Sequence, residues 1–142
     1  MRKLRRLFSF PVLVILFVAG LSLLGKSFTS AKANDKPAVF YKDDYRIEVA
    51  LPEGPAKALA ENPFTLTLKD REGSPVSGAK IGMLLSMPDM FCGTSSAVLE
   101  ETSPGVYRGS GVPLMAGASS ADVSIDTGKQ AIAVRYLFTA VH

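Results

Sequence analysis

The chain contains no tryptophan, one cysteine and one histidine in 142 residues. A single cysteine, Cys92, excludes an intrachain disulfide. Without tryptophan or a second cysteine there is also no buried Trp packed on a disulfide, the pin of antibody domains. The one histidine is His142, the last residue, where a side chain is normally solvated. It could join a metal set only if the last strand ends near the other ligands. No Ser–His or Cys–His arrangement for nucleophilic catalysis remains. The acids offer no substitute. Glu100 and Glu101 are adjacent, and adjacent side chains on a strand face opposite ways, so they do not make an acid/base couple. Gly109-Ser110-Gly111 lacks the lysine and helix start of a phosphate loop. Asp70, Glu72 and Asp89 lack calcium-loop spacing. The sequence reads as a binding module and not as an enzyme.

Acids are also missing from the first 33 residues. Met1-Arg2-Lys3-Leu4-Arg5-Arg6 is basic, and Leu7 to Gly25 is an uncharged run of 19 residues. Lys26 to Ala33 is polar with small residues and ends in Ala31-Lys32-Ala33. Basic, apolar and Ala-x-Ala parts in this order make an export signal, and the positive flank keeps the N-terminus in the cytoplasm while the rest is translocated. The apolar run is longer than the usual core of about 7–15 residues. It approaches the roughly 20 residues of a membrane span. Residues 1–33 are therefore either a signal peptide or an N-terminal membrane anchor. Both readings put the chain from Asn34 onward outside the cytoplasm: secreted, periplasmic, or tethered to the outer face of the cytoplasmic membrane. The same segment accounts for the isoelectric point of 9.1. It holds six of the 16 bases and none of the 13 acids, which leaves ten bases and a net charge of −3 for the remainder. Residues 34–142 hold no basic run, which argues against nucleic acid as a partner.

Residues 34–44 read as a tether, and 45–142 as one domain, enough chain for a single core. Apolar residues alternate with period two at Ile47, Val49 and Leu51, at Phe64, Leu66 and Leu68, and at Ile81, Met83, Leu85 and Met87. Such alternation marks half-buried strands. Ala97–Glu101 and Val106–Gly109 flank the turn residues Ser103-Pro104-Gly105 and form a hairpin. Ala121–Asp126 and Ala131–Val141 follow, separated by Gly128. Only Gly54 to Asn62 suits a helical turn, kept short by Pro55 and Pro63. About seven strands at turn spacings of roughly 8–12 residues predict an all-β, immunoglobulin-like antiparallel β-sandwich. A small barrel fits the same pattern.

Three ordered segments carry a resemblance. Asn62–Asp70 leads to Gly73-Ser74-Pro75-Val76-Ser77-Gly78-Ala79-Lys80; Met87-Pro88-Asp89-Met90 follows; then come Pro104-Gly105-Val106-Tyr107 and Pro113-Leu114-Met115-Ala116-Gly117. Together they resemble the YtkA-like domain family, exported or membrane-anchored immunoglobulin-like sandwiches, over about residues 45–142. The resemblance implies metal handling by association, since such domains accompany heavy-metal efflux and copper-handling systems.

The residues themselves carry one chemical hint. Met87, Met90 and Cys92 lie within six positions, and Met115 sits in a later loop. Thioethers and thiolates are soft ligands that select Cu(I). Pro88 restricts the backbone so that a turn can aim Met87, Met90 and Cys92 at one spot. If the Met115 loop lies at the same end of the sandwich, the soft ligands converge. Met83 is in phase with Ile81 and Leu85 and belongs to the core. Core or end packing is the competing role of Met87 and Met90, and inert burial that of Cys92. The reading is an exported, non-catalytic binding or accessory domain handling Cu(I) or another soft metal through Met87, Met90, Cys92 and Met115. The alternative is a structural or protein-interaction module of an envelope complex with no metal, and an uncleaved N-terminal segment adds the membrane as a contact.

Overall fold

The computed structural model describes residues 36–91 and 93–142. The expected export segment, residues 1–33, and the candidate ligand Cys92 lie outside the described residues. Among the described residues nine strands run in the order β1 (Ala38–Lys42), β2 (Tyr45–Ala50), β3 (Ala56–Lys57), β4 (Asn62–Asp70), β5 (Lys80–Ser86), β6 (Ser95–Ser103), β7 (Val106–Gly111), β8 (Gly117–Asp126) and β9 (Ala131–Val141). The alternation behind the strands is visible as burial. Along β4 and β9 every second residue is buried, and Phe64, Leu66 and Leu68 have no exposed surface. Met83 is buried in the core beside Ile81 and Leu85.

The strands are joined as β1-β2-β4-β7-β6-β5-β8-β9-β3. All neighbours are antiparallel except β3, which runs parallel to β9 at Ala56–Lys57. One curled sheet thereby makes both layers of an immunoglobulin-like sandwich. The fold turns from layer to layer in two places. Between β2 and β3 the chain leaves β4 and crosses to β9. At β6 a single strand serves both layers: Ser95–Leu99 pair with β5, and Glu100–Ser103 pair with β7, with a register irregularity between Glu101 and Ser103. Gly109 of β7 lies at that corner. A Cβ there would fall 2.4 Å from the Val98 carbonyl oxygen and 3.2 Å from Leu99 Cα, so the close approach needs a residue without one.

Three expectations require correction. The stretch 34–44 is not wholly a tether, because Ala38–Lys42 pair residue for residue with β2. Its run of Ala, Val, Phe and Tyr lacks polar alternation because β1 is a mostly exposed edge strand. The segment 54–62 forms no helical turn; it supplies β3 and the start of β4. β1 and β3 raise the strand count from about seven to nine. Among the described residues the sheet ends at β1 and β3 with no pairing between them, which favours the sandwich over the barrel.

The core lies between the layers. Phe64 of β4 meets Phe138 of β9 edge to face, with centroids 5.5 Å apart, and Tyr136 stacks beside Phe138 at 6.1 Å. Full burial of a Phe side chain contributes about 1.5–3 kcal/mol. An aromatic pair adds about 0.5–1.5 kcal/mol. Fully buried Tyr107 donates from its hydroxyl to the Val76 carbonyl at 2.8 Å and accepts from the Ala79 N–H at 3.1 Å, which fastens the β4–β5 connection to β7.

Candidate functional site

The registers sort every connection to one of two ends. Residue 45 pairs with 70, 67 with 106, and 80 with 126. The turns at 43–44, 71–79, 104–105 and 127–130 therefore share one end. They are rich in Gly, Asp, Ser and Pro and include Arg71, Glu72 and Lys129. Arg71 bonds Asp44 at 2.5 Å, and Gln130 donates to Asp43 at 3.3 Å, so polar contacts stitch these turns together. At the same end the Glu101 carboxylate accepts from the backbone N–H groups of Gly78 at 3.0 Å and Gly105 at 3.1 Å. These bonds, the Gly78 bond foremost, hold its pKa below the ordinary glutamate value of 4.5.

The opposite end carries the β2–β3, β3–β4, β5–β6 and β7–β8 connections, because 62 pairs with 111, 85 with 95, and 117 with 140. Its chemistry is apolar. Leu59 is 75% exposed, Met90 50% and Met115 43%, and Phe91 is wholly exposed, with Leu114 and Val141 beside them. The loops are in register with one another. Leu59 N–H donates to Pro113 O at 2.8 Å, and the Ser95 hydroxyl donates to Val112 O. Asn62, buried at the foot of the β3–β4 loop, accepts from Lys57 N–H at 2.7 Å and donates to Lys57 O at 2.9 Å and Ala60 O at 2.8 Å. One amide thus sets the path of the loop that presents Leu59.

The sequence-predicted site residues fall at this end. Met87 is half-buried, and its Cε lies 3.0 Å from where a Cβ on Gly117 would stand. A Cβ on Gly93 would stand 3.2 Å from Leu114 Cδ1. The β5–β6 loop holding Met87 and Met90 therefore lies beside the β7–β8 loop holding Met115. Met90 and Met115 project into solvent. His142 follows β9 at the same end and is exposed. Among the described residues no three His, Cys, Asp or Glu side chains gather as a metal set. What the sequence reading missed is the apolar company of the methionines: Leu59, Phe91 and Leu114. The available signal was apolar residues placed inside connections, where turn chemistry calls for polar ones.

A second surface lies on the outer face of the β6-β5-β8-β9 layer. The residues at its centre are small or neutral: Gly82 pairs with Val98 and Ser124, and Ser124 with Ala133. An open groove of about 620 Å³ crosses this face, lined among others by Lys80, Gly82, Val98, Glu100, Ser124 and Ala131. Arg135 and Asp122 form a two-bond ion pair at 2.6 and 3.1 Å beside it. The edge of this layer is β9. β8 covers one side of it in unbroken register over Ala131–Ala140. On its other side, β3 pairs only with Ala140 and Val141, and among the described residues no strand pairs with Ala131–Thr139, although β1 comes close to β9.

The described residues thus make an immunoglobulin-like β-sandwich with one apolar end and one long open edge. No model of a protein family matches the chain, and no curated protein does. A solved structure that shares its fold is the crystal structure of the Lin-41 filamin domain, with a TM-score of 0.51 at 13% identity. The likeness covers 73% of this chain and 98% of that one.

Proposed function

We propose that the chain is a non-catalytic protein-interaction module that takes an extended segment of a partner as an added strand along β9. The carrying observation is the edge itself. Natural edge strands are shortened, bulged, or armed with proline or lysine against pairing. β9 is 11 residues long, has no bulge against β8, and between Ala131 and Thr139 has no proline or lysine, only Arg135. Arg135 is already engaged by Asp122. Strand addition would satisfy the edge's backbone groups, and the outward side chains Ala133 and Leu137 would read alternate residues of the partner. A non-catalytic role fits the placement of the only histidine, which follows the C-terminal end of β9, whereas the groove reaches Ala131 at its start. In this reading residues 1–33 carry the module out of the cytoplasm, and the YtkA-like resemblance describes its relatives. A photo-crosslinking residue at Ala133 or Leu137 should give one discrete adduct in producing cells that Glu72 and Lys129 do not give. The same adducts at all four positions, or none, would refute strand addition at β9.

A second reading has a specific observation behind it. The β5–β6 and β7–β8 loops lie side by side, which brings the loop of Met87 and Met90 next to that of Met115. Thioethers on adjacent loops suit Cu(I), with Cys92 as the added thiolate. Titration with Cu(I) should show tighter binding than a Met87→Leu/Met90→Leu/Cys92→Ser variant. Equal affinities would end this reading.

A further inference from the structure

The two ends of the sandwich differ too sharply for the apolar one to be ordinary solvated surface. Leu59, Met90, Phe91, Leu114, Met115 and Val141 are all exposed there, whereas the opposite turns hold charged and hydrogen-bonded groups. Exposed apolar residues scattered singly need no account, but a cluster rimmed by polar groups marks a surface that is covered in use.

The direction of β1 says what covers it. Ala38 pairs with Val49 and Lys42 with Tyr45, so β1 begins at the apolar end and runs toward the polar one. The preceding chain therefore joins the domain at the apolar end. Twelve residues, 26–37, separate that point from the uncharged run Leu7–Gly25. Fully extended, they span at most about 40 Å. A leash of that length gives the apolar end a high effective concentration at the bilayer, so weak insertion becomes populated.

We infer that the apolar end is a membrane-contact surface: the loops bearing Leu59, Met90, Phe91, Leu114 and Met115 seat in the interface of the bilayer that holds Leu7–Gly25. The inference goes beyond the strand-addition reading and concerns a different part of the molecule. It rests on Leu7–Gly25 being retained as an anchor. The charge pattern selects the lipid. The connections at this end carry Glu53, Glu61 and Asp89, and the exposed bases beside them are Lys36 and Lys57. Three acids against two bases make no basic patch to draw this end to an anionic surface, so the contact is apolar and takes zwitterionic lipid. It also leaves the β9 edge and the groove beside it free to face a partner.

The chain has no tryptophan, which supplies a clean probe. The full chain with Phe91→Trp is reconstituted in phosphatidylcholine vesicles, and Lys129→Trp, at the polar end, serves as reference. Both positions are exposed, so neither substitution disturbs the core. Trp at 91 should emit to the blue of Trp at 129 and be quenched severalfold more by brominated lipid. Vesicle-bound chain whose Trp at 91 emits like Trp at 129 would overturn the inference while leaving the anchor intact, and would leave the apolar end to a protein partner. Chain that does not stay with the vesicles would overturn the inference by removing the anchor it rests on.

Discussion

Replacing Gly109 with alanine places a methyl group where β6 turns from one layer into the other. The new Cβ would lie 2.4 Å from the Val98 carbonyl oxygen, about 1 Å inside the 3.4 Å at which ordinary contact begins. The carbonyl is backbone and the Cβ is fixed by its own Cα, so neither can swing aside, and the corner must open. Overpacking of this kind costs about 1–3 kcal/mol. For a domain near 100 residues each kcal/mol shifts Tm by about 4–8 °C, so a fall of about 4–24 °C is expected. Gly82 provides the contrast. It also lies within a strand without positive φ, but its Cβ would meet only the Ser124 hydroxyl, at 3.1 Å. That hydroxyl can rotate, and exchanging a strand glycine for alanine is worth roughly 0.5–1 kcal/mol. Gly82→Ala should therefore melt at or above the parent temperature. Thermal unfolding followed by far-ultraviolet circular dichroism compares the two. The reasoning fails if Gly109→Ala melts with the parent, or if Gly82→Ala falls as far.

Tyr107→Phe removes the acceptor of Ala79 N–H and the donor to Val76 O. It should cost about 1–3 kcal/mol in urea unfolding at unchanged m-value. Glu101 has a folded pKa below its unfolded value, so its contribution is present above about pH 4.5 and is lost as pH falls through the lower folded value. Glu101→Gln should flatten that acid limb slightly in a pH series of melting temperatures; an unchanged limb would count against the two backbone bonds. Asn62→Ala should cost about 1–3 kcal/mol by leaving Lys57 N–H and two carbonyls without their amide partner. It should also speed hydrogen exchange at 57–61 more than at β8, and uniform exchange would contradict a local role.

The strands legible in the sequence are those with one wet and one buried face. Phe64, Leu66 and Leu68 between Thr65, Thr67 and Lys69 leave no doubt about period. β1 was hidden because its residues are apolar on both faces although the strand is an exposed edge, and β3 because two residues have no period. The double membership of β6 has no alternation signal of its own; its trace is a glycine in the neighbouring strand, at 109. The Met loops were found from composition, and their nearness to the Met115 loop follows from the registers of β5, β7 and β8. Leu59 stands out in the sequence as an apolar residue inside a connection, but where its loop lies depends on the Asn62 amide, a contact that spacing does not encode.

The shared strand β6 also governs how many ways the molecule can grow. Two separate sheets would expose twice as many free margins, some on opposite sides, and margins on opposite sides permit open-ended stacking into fibres. Here the layers are one ribbon, whose margins in the described residues are β1 and the β9–β3 side. β1 and β9 touch, so both margins lie on one flank. A strand that adds to β9 occupies that flank and offers no second site behind the molecule. Strand addition at this flank would therefore be self-limiting, because the described residues offer no free margin on the opposite side on which chain-like accretion could continue.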